Sequence, residues 1–193
     1  MNTLMHICCA PCANRPIAQL RQEGHSVTGF WFNPNIHPYT EYQARKSTLE
    51  RYAKEIGMKL IIGGRYDLRS FITHVADNID GRCAYCYRVR MEETAKYAAE
   101  HGFDSFTTSL LISPYQKHEA IASIAAEMGK QYGVEFLYRD FRPLFREGQE
   151  FAREHGFYMQ KYCGCIFSEE ERYMAAKWKK EARRKEQEQA AQT

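Results

Sequence analysis

The feature that most constrains this chain is an alternation of short apolar strands and amphipathic helices across its first 138 residues. Residues 3–9 (TLMHICC) are apolar and run up to a proline, which reads as a buried strand. Residues 13–23 look helical and stop at Gly24. Residues 26–32 (SVTGFWF) are β-branched and aromatic, a second strand closed by Asn33-Pro34-Asn35. A helix over 39–56 places Leu49, Tyr52, Ala53 and Ile56 at helical spacing before Gly57. A third strand is expected over 59–62, a helix near 67–78, and another over 83–101 stopped by Gly102. Residues 105–112 read as a fourth strand and 135–138 as a fifth. Between them Ile121, Ile124, Ala125 and Met128 mark a helix closed at Gly133. Glycines just past helix ends take the left-handed cap conformation that a Cβ disfavours. The pattern predicts an α/β fold, a Rossmann-like parallel sheet with right-handed crossovers and helices on both faces. Such sheets bind ligands outside the carboxyl ends of their strands.

A length of 193 residues fits one domain, or one domain and a tail, and 44% hydrophobic residues suffice for a core. The α/β domain is expected over 1–166 and a charged C-terminal helical extension over 167–193. That extension opens with Ser168 as an N-cap, then Glu169, Glu170 and Glu171. It continues through six basic residues (Lys177, Lys179, Lys180, Arg183, Arg184 and Lys185) against one acid, Glu181. The final EQEQAAQT is polar and reads as a fraying end. No run of 18 apolar residues exists, and the N-terminus reaches cysteine by residue 8 without a basic stretch. The expectation is a cytoplasmic protein with no membrane partner. The formal net charge of +3 is too small by itself to indicate nucleic acid.

The 7 cysteines fall in three knots: Cys8-Cys9-x-x-Cys12, Cys83-x-x-Cys86 and Cys163-x-Cys165. An odd number cannot pair off completely, and a reducing compartment disfavours structural disulfides. Two knots fall at predicted helix starts, Cys12 just before a helix and Cys83 and Cys86 within one, where the orphan N–H groups favour thiolates. Spacing leaves four readings: buried packing cysteines, a thioredoxin-like dithiol, structural zinc, and an iron–sulfur centre with thiols left over. The first leaves the clustering unexplained and the second leaves two knots idle. Seven thiols exceed what one zinc takes, so spacing favours iron–sulfur chemistry. The loop after the first strand lacks glycine, and Pro11 removes an N–H donor, so it does not suit a nucleotide phosphate; no ATP binding is expected.

HICCAPC at 6–12, FWFNPNIHPYTEYQ at 30–43, RCAYCY at 82–87, FTTSLLISPYQKHE at 106–119 and YCGC at 162–165 together resemble the epoxyqueuosine reductase QueH family. The resemblance implies a fold related to the PP-loop, or adenine nucleotide α-hydrolase-like, superfamily. It implies reductive removal of the epoxide oxygen of epoxyqueuosine in a tRNA anticodon loop. The implied cofactors are a 4Fe-4S cluster and an additional iron ion, without cobalamin, fed by an unidentified electron donor. By the same resemblance Cys9, Cys83 and Cys86 are cluster ligands, with Cys8 beside them in the cofactor-binding set. Cys12, Cys163 and Cys165 are left for the second iron or a redox role, so that all seven cysteines belong to the metal site.

Removing the epoxide oxygen also consumes protons. Tyr85 is the leading donor candidate, with Tyr87, Asp80, His118 and Asp140 as others and Tyr115 and Lys117 nearby in sequence. His6 lies inside the first strand and reads as a core histidine, whereas His25, His101 and His155 each neighbour a glycine beyond a helix end. For RNA the candidates are Arg45, Lys46, Arg51 and Lys54 on one helix, then Arg139, Arg142 and Arg146 around Phe141 and Phe145, and the basic tail. Residues 33–42 read as a substrate loop in which Tyr39 and Tyr42 could stack on a base.

Overall fold

The computed structural model describes residues 1–190, and five strands in it form one parallel sheet. The strands are β1 (Asn2–His6), β2 (Ser26–Trp31), β3 (Leu60–Ile62), β4 (Ser105–Thr108) and β5 (Glu135–Phe136), in the order β3-β2-β1-β4-β5. His6 stands opposite Phe30 on one side and Thr108 on the other. The crossovers run outward in both directions from β1. The crevice between the carboxyl ends of β1 and β4 is therefore the topological switch point of a doubly wound fold.

Seven helices accompany the sheet among the described residues: α1 (Ala10–Gln22), α2 (Tyr39–Glu55), α3 (Leu68–Val75), α4 (Arg82–Glu100), α5 (His118–Tyr132), α6 (Phe145–Glu154) and α7 (Ile166–Ala190). Helix α1 contacts α2, β2 and α6, while α4 contacts β1, β4 and α5. Right-handed crossovers from a central strand put these two sets on opposite faces. Covered on both sides, β1 buries Leu4, Met5 and His6 completely. Helix α1 turns Ala13, Ile17 and Leu20 inward at the three-to-four spacing of an apolar stripe. Gly133, at φ +67°, supplies the left-handed turn that ends α5.

Several boundaries differ from the sequence reading, each for a local reason. β1 ends at His6 rather than residue 9, and Cys9 becomes the extended residue that precedes α1. Helix α1 starts at Ala10 because Pro11 is tolerated in a first turn. Cys12 therefore sits inside that turn and not before it. β4 ends at Thr108, whose Oγ1 accepts the Leu110 N–H at 3.2 Å and starts a 3-10 turn over Ser109–Ile112. Helix α6, packed on α1, has no counterpart among the sequence expectations. Helix α7 is tied back by an Arg82–Glu171 ion pair and runs through part of the expected fraying end to Ala190; the rest of that end lies outside the described residues.

Candidate metal centre

The first knot forms where β1 hands over to α1. A strand end followed by a helix's first turn brings positions 8, 9 and 12 to one side, and the three Sγ atoms all lie within 4.8 Å of one another. Those of Cys8 and Cys9 are 3.8 Å apart. All three side chains are buried. From the neighbouring strand end, Ser109 Oγ accepts the Cys8 backbone N–H at 3.2 Å and donates to Cys8 Sγ at 3.5 Å. Gln160 Nε2 donates to Cys9 Sγ at 2.9 Å and reaches Cys12 Sγ at 3.6 Å. Gln160 Oε1 is buried without a partner. Hydrogen bonds from Cys12 and Cys9 stabilise one thiolate on Cys8 and hold its pKa well below the ordinary thiol value. Burial raises that of Cys9, and its bond to Cys8 raises that of Cys12. Negative charge is thus favoured on Cys8 over Cys9 and Cys12.

The remaining two knots lie near one another. Cys83 and Cys86 occupy the first turns of α4. Cys86 and Cys165 are buried together with Phe71 and Val75, whereas Cys163 is exposed and donates from Sγ to Ser168 Oγ at 2.9 Å. Arg90, one helical turn after Cys86, donates from Nη2 to Cys86 Sγ at 3.0 Å and from Nε to the Cys86 carbonyl at 2.9 Å. Burial pushes the Cys86 thiol up to about 12; Arg90 opposes this, and the nearby sulfurs of Cys163, Cys165 and Cys83 add to it. The two groups are joined by Arg45, whose charge acts on Cys9 and Cys8 and whose Nη1 donates to the Cys163 carbonyl at 3.1 Å. The seven thiols are free of disulfides and five are buried; Cys8, Cys9 and Cys12 form one close group, and Cys86 lies near the sulfurs of Cys83, Cys163 and Cys165. Soft donors of this number fit a thiolate-bound iron–sulfur cluster.

Sequence pattern alone missed three residues here. Arg90 was legible in principle, since position i+4 from Cys86 shares its helix face. Ser109 and Gln160 carry no comparable signal, because tertiary contacts alone bring them to the sulfurs.

Tyr85 is half-buried against Phe71 and His74, next to Cys86, and burial raises its pKa, so it keeps its proton at neutral pH. Tyr87 is buried and donates to Gln116 Oε1 at 2.7 Å. His118 is buried against the Tyr138 hydroxyl at 3.0 Å, and Asp140, held down to about 2 by Arg142, pairs with that arginine at 2.7 Å. Asp80, Tyr115 and Lys117 are exposed. His6 is a core residue, bonded through Nδ1 to Thr108 Oγ1 at 3.0 Å and through Nε2 to the Phe32 carbonyl at 3.2 Å. His101 and His155 are the C-cap residues of α4 and α6.

The expected RNA contacts need correction at two positions. Arg45 is not on a solvated face; it is 2% exposed, because Glu41 and two loop carbonyls take its donors. Tyr42 is also buried, its hydroxyl accepting from Trp31 Nε1 at 3.0 Å, so it cannot stack on a base. Tyr39 remains exposed. Arg139, Arg142 and Arg146 lie on the surface beside Glu23, Asp140 and Glu150, while Phe141 is in the core. Outside the cysteine loop, Tyr158, Tyr162 and Tyr173, with Lys161 and Glu169, line a groove of about 400 Å³.

A family profile described as epoxyqueuosine reductase QueH matches residues 3–171, which takes in all three knots. The chain belongs to that family. Epoxyqueuosine reductase QueH of Dehalococcoides mccartyi is 38% identical over 170 residues, 88% of this chain and 93% of that protein. The QueH of Thermotoga maritima is 34% identical over 174 residues, 86% of this chain and 88% of that one. The family places the protein among oxidoreductases. Solved structures share the fold at low identity. The U34-tRNA thiolase NcsA from Methanococcus maripaludis, solved with its [4Fe-4S] cluster, superposes with a TM-score of 0.56 at 14% identity, covering 87% of this chain and 61% of that one. A predicted tRNA methyltransferase subunit from Methanocaldococcus jannaschii gives 0.50 at 13%, covering 81% and 88%. The parallel-sheet fold is thus shared with these two structures. No helix among the described residues is long and apolar enough to cross a membrane.

Proposed function

We propose that the chain removes the epoxide oxygen of epoxyqueuosine in a tRNA anticodon loop, using an iron–sulfur cluster and an additional iron, without cobalamin. The observation that carries this is the close, buried group of Cys8, Cys9 and Cys12 at the carboxyl end of β1 in a QueH-family chain. A structural neighbour whose own cluster is [4Fe-4S] supports the choice of metal. Cys9, Cys83 and Cys86, with Cys8, hold the cluster; Cys12, Cys163 and Cys165 serve the second iron or its redox partner. When bound, such a group supplies electrons singly and a Lewis acid for the epoxide oxygen. The reaction takes two electrons and two protons, breaks both carbon–oxygen bonds of the epoxide, and yields an alkene and water. Tyr85, protonated and beside Cys86, gives one proton. Gln160 and Ser109 orient the sulfurs of the first knot. Tyr39 and the groove tyrosines offer stacking surfaces for unpaired bases, and the basic segment of α7 attracts phosphate. Electrons enter from an external donor.

The test is protein purified without oxygen. Brown protein with several irons and sulfides per chain, converting epoxyqueuosine tRNA under a strong chemical reductant, is expected. Colourless protein holding one zinc, inactive after iron reconstitution, refutes the reading.

A further inference from the structure

Arg45 is a fully buried guanidinium on α2, one turn after Glu41. Burying an ion costs several kcal/mol before any pairing, and apolar residues of similar volume often stabilise as well as a buried pair does. Stability alone is therefore a poor reason for this pair. Its donors have a common target. Nε and Nη2 meet Glu41 Oε1 at 2.7 and 2.6 Å, while Nη2 and Nη1 donate to the carbonyls of Tyr162 and Cys163 at 2.9 and 3.1 Å. Two further bonds hold the same loop: His37 N–H to the Gly164 carbonyl at 2.7 Å, and the Tyr162 hydroxyl to the His37 carbonyl at 2.6 Å. Behind Arg45, the other oxygen of Glu41 accepts from the Tyr158 hydroxyl.

We propose that Arg45 is a positioning residue whose planar fork clamps the backbone of the Cys163-Gly164-Cys165 loop over the cysteine site. Arg45 and the His37 N–H hold the loop through the carbonyls of Tyr162, Cys163 and Gly164, so neither contact occupies the sulfur of Cys163 or Cys165. Lysine cannot substitute, because a single ammonium cannot meet a carboxylate and two carbonyls in one plane. Glu41 fixes the guanidinium from behind, and Tyr158 fixes Glu41. The effect on turnover rests on the epoxide-reductase reading; the clamp does not.

The test compares wild type, Arg45→Lys, Arg45→Gln and Glu41→Gln as full-length, reduced, metal-free proteins. Iodoacetamide labelling is followed cysteine by cysteine by mass spectrometry. In the wild type, exposed Cys163 labels quickly and Cys165, 4% exposed, slowly. Each variant should raise the Cys165 rate at least tenfold while amide exchange in β1 and β4 stays at the wild-type level. In reconstituted protein Arg45→Lys should lower kcat with KM for the tRNA unchanged. An unchanged Cys165 rate overturns the clamp, and so does faster exchange throughout β1 and β4, which would make Arg45 a residue of general stability. If Arg45→Gln fails to fold, Glu41→Gln and Arg45→Lys give the same reading. A wild type inert toward epoxyqueuosine with a tenfold labelling effect intact would sink the assigned reaction and leave the clamp standing.

Discussion

Replacing Gly164 with alanine puts a methyl group where the cysteine loop leaves no room. Gly164 has φ +126°, a conformation essentially confined to glycine, and holding an L-residue there costs about 1–3 kcal/mol. The new Cβ would stand 3.1 Å from Ile36 Cγ1 and 3.3 Å from Arg45 Nη1. Neither neighbour moves easily: Ile36 is wholly buried, and Arg45 is tied to Glu41 and two carbonyls. The loop can relieve the strain only by releasing the His37 N–H to Gly164 carbonyl bond, a loss of about 0.5–1.5 kcal/mol. Strain and release are alternatives and the chain takes the cheaper, so the net destabilisation is about 0.5–1.5 kcal/mol. For a chain of this length that lowers Tm by roughly 1–6 °C. The assay is thermal unfolding of metal-free protein, paired with iron content after reconstitution, and both should fall. A Gly164→Ala protein with wild-type Tm and wild-type iron would refute the loop geometry on which the prediction stands.

Protonation of His6 gives a second prediction. Burial, then the charge of Arg90, pushes its pKa down from 6.5 to about 3. The unfolded chain therefore binds this proton first, so the contribution is complete above about pH 6.5 and is lost as pH falls toward 3. Between pH 7.5 and 5 the loss is about 2 kcal/mol, and urea midpoints should show it in the wild type and not in His6→Gln. Equal pH slopes would contradict it. Cys163→Ser and Cys165→Ser should each keep the fold and much of the main cluster yet lose epoxide reduction; wild-type conversion by both would return the pair to packing. Deleting residues 177–193 should weaken tRNA binding and flatten its salt dependence while turnover on bound substrate persists; unchanged affinity at low salt would make the tail a solvated helix.

Glycine stops and apolar runs made the order of strands and helices readable, because each reports a purely local preference. The place of the first knot was readable for the same reason, since a cysteine run after the first strand must lie at a strand's carboxyl end. What local pattern could not tell apart was burial. Arg45 with Glu41 and Lys46 with Glu50 share one i,i+4 spacing on one helix, yet the first pair is enclosed and the second lies at the surface. The difference comes from the loop at 162–164, more than a hundred residues away, which closes over one side of α2. Tyr39 and Tyr42 divide in the same way, one open to solvent and the other sealed by Trp31. Helix α6 was hidden because its pattern is sparse and its stability comes from packing on α1. The meeting of Cys165 with Cys86 depends on tertiary closure that no spacing encodes.

The pairing of β1 with β4 joins residues as far apart as Leu4 and Phe106, and the sulfurs arrive from three segments that no single hairpin or helix pair contains. A metal held by neighbours in sequence can gather its ligands early and drive the chain to fold around it. Here the order is reversed, since the thiols converge only after the sheet has closed and the last loop has been pinned. Cys8, Cys9 and Cys12 are neighbours along the chain, but the full set of sulfurs is available only to a chain whose long-range strand pairing is complete.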